Sequence, residues 1–249
     1  MINDKIVLNV YENPKLRSKI STQLLYGEKF KILSQSKKWI KIKTSFDNYI
    51  GHIKYNNYIK KFKPTHKVFK LKTKIYKKPF NTKEYDTKKF LSFASKVFVI
   101  QKYNQFIEFE KNKWVKKKDL KDIKTIENNF INIIKLFLGI KYVWGGKTHN
   151  GIDCSALLQL IFFYNNKFFP RDTTDQIKYL KKKKNLKFFK KGDIIFWKGH
   201  VAICLDKKFL IHAYGPKKKV IIMNIKDTVL EIEEKSKLNV IGIKNINDI

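Results

Sequence analysis

The chain has 249 residues, of which 43% are hydrophobic, so it can bury a core and does not belong to the disordered class. Its formal net charge is +34, which on its own favours a nucleic acid or an anionic surface as partner. The basic residues are nearly all lysine, with arginine only at Arg17 and Arg171, whereas recognition of phosphates and bases usually recruits arginine. We therefore interpret the charge as a compositional bias and predict weak, salt-sensitive association with polyanions but no specific nucleic-acid partner.

Membrane and metal-binding classes are also disfavoured. No stretch approaches the roughly 20 apolar residues of a membrane span, and the polar segment 1–13 lacks the apolar core of a secretory signal. We therefore expect a cytoplasmic protein with no membrane partner. Cys154 and Cys204 are too few for a disulfide framework or a four-ligand zinc site, and the histidines show no compact ligand spacing. No metal or other cofactor is expected, and the oligomeric state is left open.

Short alternating runs in the first half of the chain predict the strands of two small barrels. A second stretch, from about residue 65, loosely repeats the plan of the first. With Pro64 as the boundary, this predicts two diverged copies of one all-β module, in residues 1–63 and 64–121. The predicted strands include residues 30–33 and 39–43 in the first copy, and 97–100, 106–109 and 114–115 in the second.

The pattern changes to α+β beyond these modules, so residues 122–249 are predicted to form a third domain. Thr125 is the predicted N-cap of a helix whose apolar residues follow helical spacing across 130–138. A glycine-rich loop then leads to Cys154 and a second helix at 155–164. Strands are predicted at 193–197, 200–205, 209–214 and 220–223. A helix that carries a thiol, packed on a sheet that carries imidazoles, is the plan of papain-like cysteine hydrolases.

Cys154 is the candidate nucleophile. A thiol attacks as the thiolate, and a helix N-terminus and a neighbouring imidazole are two ways to lower its pKa. The alternative is a small buried hydrophobe, the usual state of a free cysteine, but the polar neighbours Asp153 and Ser155 argue against it. Cys204 lies in an apolar strand and is expected to be buried and inert.

His200 and His212 are the candidate partners of the thiol. His200 would take the thiol proton as general base, and His212 would orient it through the ring nitrogen that faces away from sulfur. Both side chains must then lie on one face of the sheet. A hairpin that pairs residue 204 with 208 meets this requirement and is the register predicted here, whereas pairing 205 with 208 would separate the two side chains.

Six segments follow one another along the chain: YVWGG at 142–146, GIDCS at 151–155, PRDTTDQ at 170–176, GDIIFW at 192–197, GHVAI at 199–203 and IHA at 211–213. They are similar, in order, to the motif set of the NlpC/P60 cysteine peptidases. The resemblance covers roughly residues 125–225, with Ala156 where many relatives have glycine. The two N-terminal modules resemble the bacterial SH3-like domains that precede this domain in γ-D-glutamyl-L-diamino-acid endopeptidases. The implied fold is two small all-β SH3-like barrels followed by an α+β, papain-like NlpC/P60 catalytic domain.

The resemblance also implies a subsite for the free N-terminal amine of a peptide. Asp153, Ser155 and Asp172 match the residues that bind this amine in the relatives, and anionic groups would suit an ammonium. For Asp172 the alternatives are a capping box with Gln176 or an ion pair with Arg171.

Three aromatic residues are further candidates for substrate binding. Tyr142 and Trp144 would line the cleft, with the Tyr142 hydroxyl or a backbone N–H as oxyanion donor. The alternative for both is packing beneath the catalytic helix, which we favour for Trp144. Tyr49 resembles the position from which the first SH3-like module reaches the active site in the relatives, although His52 stands where tryptophan is common. For Tyr49 the alternative is a tyrosine on the barrel surface.

The resemblance therefore implies a cysteine peptidase that cleaves the γ-D-Glu–diamino acid amide of short muropeptides with a free N-terminal L-Ala, in recycling of cell-wall peptides. A wall endopeptidase, an amidase or an acyltransferase acting on larger substrates would use the same layout. A non-enzymatic alternative is a polyanion- or wall-binding protein with a vestigial cleft.

Overall fold

The computed structural model describes residues 1–58, 63–181 and 188–248. The chain forms two compact units, the first made of Met1–Glu127 with Lys147–His149, the second of Asn128–Gly146 with Asn150–Ile249. Residues 59–62, at the end of the predicted first module, lie outside the described residues, as do 182–187 and 249 of the predicted third domain.

The first unit begins with an antiparallel five-stranded sheet. Its strands are β1 Val7–Tyr11, β2 Ile20–Leu25, β3 Phe30–Gln35, β4 Trp39–Thr44 and β5 Ile50–Lys54. Their order in the sheet is β2-β1-β5-β4-β3, and residues such as Val10, Ile42 and Ile53 form its core. The strands predicted at 30–33 and 39–43 are confirmed as β3 and β4.

A second set of strands completes the first unit. It comprises β6 His66–Val68, β7 Lys72–Tyr76, β8 Asp86–Ser92, β9 Lys96–Val97, β10 Gln101–Tyr103, β11 Phe106–Glu110, β12 Lys113–Lys116 and β13 Leu120–Asp122, with the short β14 Lys147–Thr148 from later in the chain. The orders β10-β11-β12-β7-β8 and β13-β6-β9 define two sheets. The strands predicted at 106–109 and 114–115 are confirmed. The single strand predicted at 97–100 was wrong, because the backbone turns away after β9 and Val99 N donates to Thr65 Oγ1 at 3.0 Å.

The second unit combines four helices in its described part with an antiparallel sheet. The helices are α1 Phe130–Ile134, α2 Cys154–Tyr164, α3 Thr173–Tyr179 and α4 Ile225–Ser236. The strands are β15 Gly151–Ile152, β16 Asp193–Trp197, β17 His200–Cys204, β18 Phe209–Tyr214, β19 Lys219–Asn224 and β20 Gly242–Asn245. The sheet has the order β19-β18-β17-β16-β20, so the four predicted strands are confirmed and β20 extends them at one edge.

The start of the first helix differs from its prediction. Thr125 is not an N-cap, because its N–H closes a turn onto Asp122 O at 3.0 Å. The helix begins only at Phe130, after the N-cap Asn129. The second helix was predicted within one residue of its observed start at Cys154.

Helix α2 is the central helix of this unit, and all its residues are buried. It packs against β17 and β18. Burial of apolar surface at roughly 25 cal/mol per Å² explains why a helix this apolar forms at the centre of the unit. Helix α4 adds Ile225 and Ile232 to a cluster that includes Trp197 and Leu210 of the sheet.

Candidate active site

Cys154 is the first residue of α2, and the loop before it fixes where the helix begins. Asp153 is the N-cap, and its side chain accepts a hydrogen bond from Ala156 N at 2.8 Å. Gly146 O accepts from Asp153 N at 3.2 Å, which folds the glycine-rich loop back onto the helix start. A Cβ at Gly146 would lie 2.6 Å from Gly151 O, so only glycine allows the two ends of the loop to meet.

The Cys154 thiol lies against the backbone on both sides of His200. It donates to Gly199 O at 3.9 Å and accepts a hydrogen bond from Val201 N. Among the described residues, the thiol has a carbonyl and not an imidazole as its acceptor. Because both contacts are made by immediate neighbours of His200, the thiol sits at the start of β17.

A small cavity brings the thiol and the second histidine together. Cys154 and His212 both line it, together with Val201, Ala202 and other apolar residues of β17, β18 and α2. The three predicted catalytic residues therefore lie in one neighbourhood of the second unit.

The two histidines form a direct pair. A hydrogen bond joins His200 Nε2 and His212 Nδ1 at 2.9 Å. Both residues lie an even number of positions from the paired residues Cys204 and Leu210, so their side chains point to the same face of the sheet. The requirement that both side chains share one face is met.

The predicted register of this hairpin was wrong. Cys204 pairs with Leu210, not with Lys208. The turn is longer because Asp206 Oδ1 accepts hydrogen bonds from the N–H groups of Lys208 and Phe209, at 2.7 and 2.8 Å, which keeps residue 208 out of the strand. The two histidines are consequently diagonal neighbours, a spacing across which ring side chains still meet.

Both imidazoles and the thiol are neutral in this site. Burial lowers the pKa of His200 to about 4. Burial, and then the proximity of His200, holds the pKa of His212 well below its ordinary value. Burial, and then the Asp153 charge, raises the pKa of Cys154 to about 12, against the opposing effect of its backbone hydrogen bonds and Arg171.

The expectation that the helix N-terminus and an imidazole lower the thiol pKa was therefore wrong. Cys154 is only 6% exposed, and desolvation of the charged form outweighs the hydrogen bonds that favour it. Cys204 is fully buried and outside any disulfide, as expected.

Aromatic rings and a sulfur hold the histidine pair in place. His212 stacks on Tyr214 with ring centroids 4.6 Å apart, and His200 lies 5.6 Å from the Trp197 ring. On its other edge, His212 Nε2 lies 3.3 Å from Met223 Sδ.

Asp153 and Ser155 are held by Arg171. Asp153 accepts from Arg171 Nη1 at 3.0 Å and from Nη2 at 2.6 Å, and Arg171 Nη1 also donates to Ser155 Oγ at 2.6 Å. Asp153 accepts further bonds from Gly145 N, Ala156 N and the Ser155 hydroxyl. The carboxylate is thus buried, paired and fully hydrogen-bonded.

Asp172 differs from Asp153 because it is exposed, at the N-cap of α3. The capping box with Gln176 was wrong, and the ion pair with Arg171 stays a prediction. Arg171 pairs with Asp153, and the Asp172 side chain makes no cap bond to α3. Gln176 does not close a capping box, because its Nε2 donates to Ser155 O and Pro170 O, at 3.0 and 2.9 Å.

Tyr142 and Trp144 occupy different environments. Tyr142 is half-buried, and burial, followed by its neighbours Cys154 and Asp153, raises its pKa. The hydroxyl therefore keeps its proton and can donate a hydrogen bond. Trp144 is 60% exposed, so the packing favoured for it was wrong. Trp144 lies within a tight turn, in which Gly146 N donates to Val143 O at 2.9 Å.

Tyr49 lies in the first unit, between β4 and β5. Its N–H donates to Thr44 Oγ1 at 2.9 Å, and the residue is half-buried. The contact of Tyr49 with substrate stays a prediction.

Two residues of the site neighbourhood were missed by sequence reasoning. Arg171 carried a usable signal, because it is one of two arginines in a chain that otherwise uses lysine, and a bidentate partner for a carboxylate needs arginine. Met223 carried no signal, since a methionine in an apolar strand is typical of a core.

A thiol at a helix N-terminus, beside a histidine pair on an antiparallel sheet, defines a cysteine hydrolase of the papain-like plan. Residues 139–234 match the NlpC/P60 family, and residues 10–56 match the bacterial dipeptidyl-peptidase Sh3 domain. Residues 139–234 therefore form an NlpC/P60 cysteine-peptidase domain, and a bacterial SH3 domain precedes it in the chain.

Individual relatives extend over most of the chain. The γ-D-glutamyl-L-lysine dipeptidyl-peptidase of Bacillus subtilis is 27% identical over 240 residues, which cover 86% of this chain and 79% of the relative. Dipeptidyl-peptidase 6 of Lysinibacillus sphaericus is 22% identical over 231 residues, covering 84% of this chain and 85% of the relative. The crystal structure of an NlpC/P60 family protein from Bacillus cereus shares the fold, with a TM-score of 0.80 and 21% identity over 98% of each chain.

Within residues 1–58, 63–181 and 188–248, no helix has the length and apolar character needed to cross a bilayer.

Proposed function

We propose that this protein hydrolyses the amide between γ-D-Glu and the diamino acid of short muropeptides that have a free N-terminal L-Ala. The observation that carries the proposal is the His200–His212 hydrogen bond beside the buried thiol of Cys154. Cys154, His200 and His212 would then act as nucleophile, base and orienting group in one place. The γ-glutamyl specificity is supported by the names of the relatives from B. subtilis and L. sphaericus.

The reaction takes two steps. Cys154 Sγ attacks the γ-carbonyl carbon while its proton passes to His200, and the amide C–N bond breaks as His200 returns that proton to the leaving amine. This gives a γ-glutamyl thioester on Cys154. Water then attacks the thioester, His200 takes its proton and passes it to the departing thiolate, and L-Ala-D-Glu is released.

The neutral resting site shapes the first step. Because the pKa of the thiol is raised and that of His200 is lowered, no ion pair precedes substrate binding. Proton transfer accompanies attack, and the Tyr142 hydroxyl is our proposed donor to the oxyanion that forms.

Asp172 is our proposed direct contact for the substrate ammonium, since it is the exposed carboxylate of the three residues assigned to this subsite. Asp153 and Ser155 stay predictions for the same subsite. Their bonds to Arg171 mean that they would contribute by shaping its wall. Trp144 is proposed as an aromatic wall of the cleft. Tyr49, in the first unit, stays a prediction.

Two broader features belong to the same proposal. We propose that residues 64–121 form a second SH3-like barrel, supported by the strands that repeat the plan of the first. We also propose a role in recycling small wall peptides in the cytoplasm, where a reducing environment keeps the nucleophilic thiol free. Fractionation of cells that express the tagged protein tests the location.

The test uses L-Ala-γ-D-Glu-L-Lys as substrate and detects L-Ala-D-Glu by mass spectrometry. Wild type should release the dipeptide, Cys154→Ala should not, and Cys204→Ala should keep its activity as the matched cysteine control. N-acetylation of the substrate should abolish most turnover if the amine is read. Equal turnover of the blocked peptide would overturn the free-amine specificity and favour a wall endopeptidase.

A further inference from the structure

Met223 lies at one end of a line of three side chains that crosses three neighbouring strands. His200 on β17 bonds His212 on β18, and His212 Nε2 lies 3.3 Å from Met223 Sδ on β19. In the sheet, His212 pairs with Ile221 and Leu210 pairs with Met223, so the methionine is a diagonal neighbour on the same face. The line therefore continues beyond the histidine pair.

The chemistry of the sulfur decides which nitrogen of His212 carries the proton. A thioether has no hydrogen to donate and can only accept. His212 is 1% exposed, and Nε2 has no other hydrogen-bond partner among the described residues. A neutral imidazole that faces an acceptor at Nε2 places its hydrogen there, which leaves Nδ1 of His212 as a lone pair.

The tautomer of His212 determines the tautomer of His200. His212 Nδ1 can then only accept, so His200 Nε2 must donate across the 2.9 Å contact. A neutral imidazole has one hydrogen, so Nδ1 of His200 is left unprotonated. That nitrogen is the one able to take the thiol proton.

We propose that Met223 is a positioning residue that fixes the tautomers of His212 and His200 in the form that serves as a base toward Cys154. The proposal rests on the proposed function, because it assigns a purpose to the orientation of that base. With the opposite tautomers, His200 Nδ1 would carry a hydrogen and could not accept one from sulfur. Met223 touches no reacting atom, and it acts through His212.

The test compares three variants in the full chain. Met223→Leu keeps the volume and removes the acceptor, while Met223→Gln restores an acceptor through its amide oxygen. Ile221→Leu is the matched control, because Ile221 is the direct strand partner of His212 and offers no hydrogen bond. Thermal unfolding first verifies that each variant is folded.

The first readout is the ring tautomer, measured by two-bond ¹H–¹⁵N correlation spectra of ¹⁵N-histidine-labelled protein. We expect the Nε2–H form for both rings in wild type, Met223→Gln and Ile221→Leu, and a mixture with the Nδ1–H form in Met223→Leu. Retention of the pure Nε2–H form in Met223→Leu would overturn the proposal. This readout needs no substrate, so it tests the tautomers even if the protein does not catalyse the proposed reaction.

The second readout is hydrolysis of L-Ala-γ-D-Glu-L-Lys. Loss of one hydrogen bond predicts a fall in kcat of about five- to tenfold for Met223→Leu, with KM unchanged and with recovery in Met223→Gln. An equal loss in Ile221→Leu, or no recovery in Met223→Gln, would mean that Met223 only packs and would overturn the proposal. If wild type cleaves no such peptide while the tautomers behave as expected, the proposed function fails and the assignment of the tautomers stands.

Discussion

Arg171 neutralises a buried carboxylate at the first turn of the catalytic helix. Its two terminal nitrogens bind the two oxygens of Asp153, and both side chains are almost fully buried. Such a pair adds little net stability over an apolar replacement of both members, but removal of one member leaves an uncompensated charge. The pair therefore fixes the geometry of the helix start, where Cys154 lies, more than it stabilises the fold.

Arg171→Met should lower the free energy of unfolding by about 3–5 kcal/mol, because it leaves the Asp153 carboxylate buried without its cation. Denaturant unfolding measures the change. Arg17→Met is the matched control, since Arg17 is exposed and its loss should stay within about 0.5 kcal/mol. Comparable losses in the two variants would contradict the buried pair as described.

The histidine pair predicts an unusual acid limit for activity. His200 must be neutral to accept the thiol proton, and burial lowers its pKa to about 4. Activity should therefore persist as pH falls through 6.5, the ordinary value, and decline only near pH 4. The pH profile of kcat/KM measures this limit, and an acid limb centred near pH 6.5 would contradict the buried neutral base.

The same shifts make stability depend on pH. The folded-state pKa values of His200 and His212 lie below the ordinary value, so the unfolded chain binds more protons at mildly acid pH. Above pH 6.5 both histidines are neutral in the folded and the unfolded chain, so they make no pH-dependent contribution to the free energy of unfolding. As pH falls from about 6.5 towards 4, each should lower stability by up to about 1.4 kcal/mol per pH unit.

At the scale of elements, the turn between β2 and β3 is fixed by a close approach to the strand that begins at Lys96. Gly27 has φ +81°, and a Cβ there would collide with Lys96 O. Lys96 N in turn donates to Tyr26 O at 2.9 Å, so the two backbones are held together at this point. The Tyr26 ring also meets Phe109 edge-on at 5.3 Å.

Gly27→Ala should therefore destabilise the fold by more than a positive φ alone requires. Gly139→Ala is the matched control, because Gly139 has φ +79° and open space around its missing Cβ. The control should cost about 1–2 kcal/mol, and Gly27→Ala several kcal/mol, measured by denaturant unfolding. Equal losses of unfolding free energy in the two variants would show that the backbone at Lys96 moves to accommodate the added Cβ, and would contradict this prediction.

Sequence patterns predicted elements better than the contacts between them. Alternating apolar residues located β3 and β4, short apolar segments separated by turns located β16 to β19, and the apolar run after Cys154 located α2. The hairpin register was missed because Asp206 lengthens the turn through its own side chain. Helix α1 begins later than predicted because Thr125 is used in a turn, a choice made by tertiary context.

The roles of site residues were predictable only where few residue types can perform the role. A thiol followed by two histidines restricts it strongly, so the cluster of Cys154, His200 and His212 was found. The partner of Asp153 was not, because the two residues are 18 positions apart and only the folded chain brings them together. The thiol pKa was predicted in the wrong direction, since burial of Cys154 cannot be read from its polar neighbours.

At the scale of the whole molecule, the net charge of +34 does not mean that every lysine lies on a solvated surface. Some lysines are buried and paired with a carboxylate. Lys147 is an example, because its Nζ lies 2.9 Å from Glu28 Oε1 and both side chains are at most 3% exposed. Composition alone assigned the lysines to a solvated, biased surface. A buried ion pair between residues 119 positions apart can be found only from the fold.

The catalytic claim also belongs to this scale, because it joins the loop, the helix and the sheet of the second unit in one reaction. The most direct test mixes the protein with L-Ala-γ-D-Glu-L-Lys, quenches in acid during turnover and maps the modified peptide by mass spectrometry. We predict one L-Ala-D-Glu acyl group, as a thioester on Cys154, and none in Cys154→Ala. Acylation of Cys204 instead, or turnover by Cys154→Ala at the wild-type rate, would contradict the account.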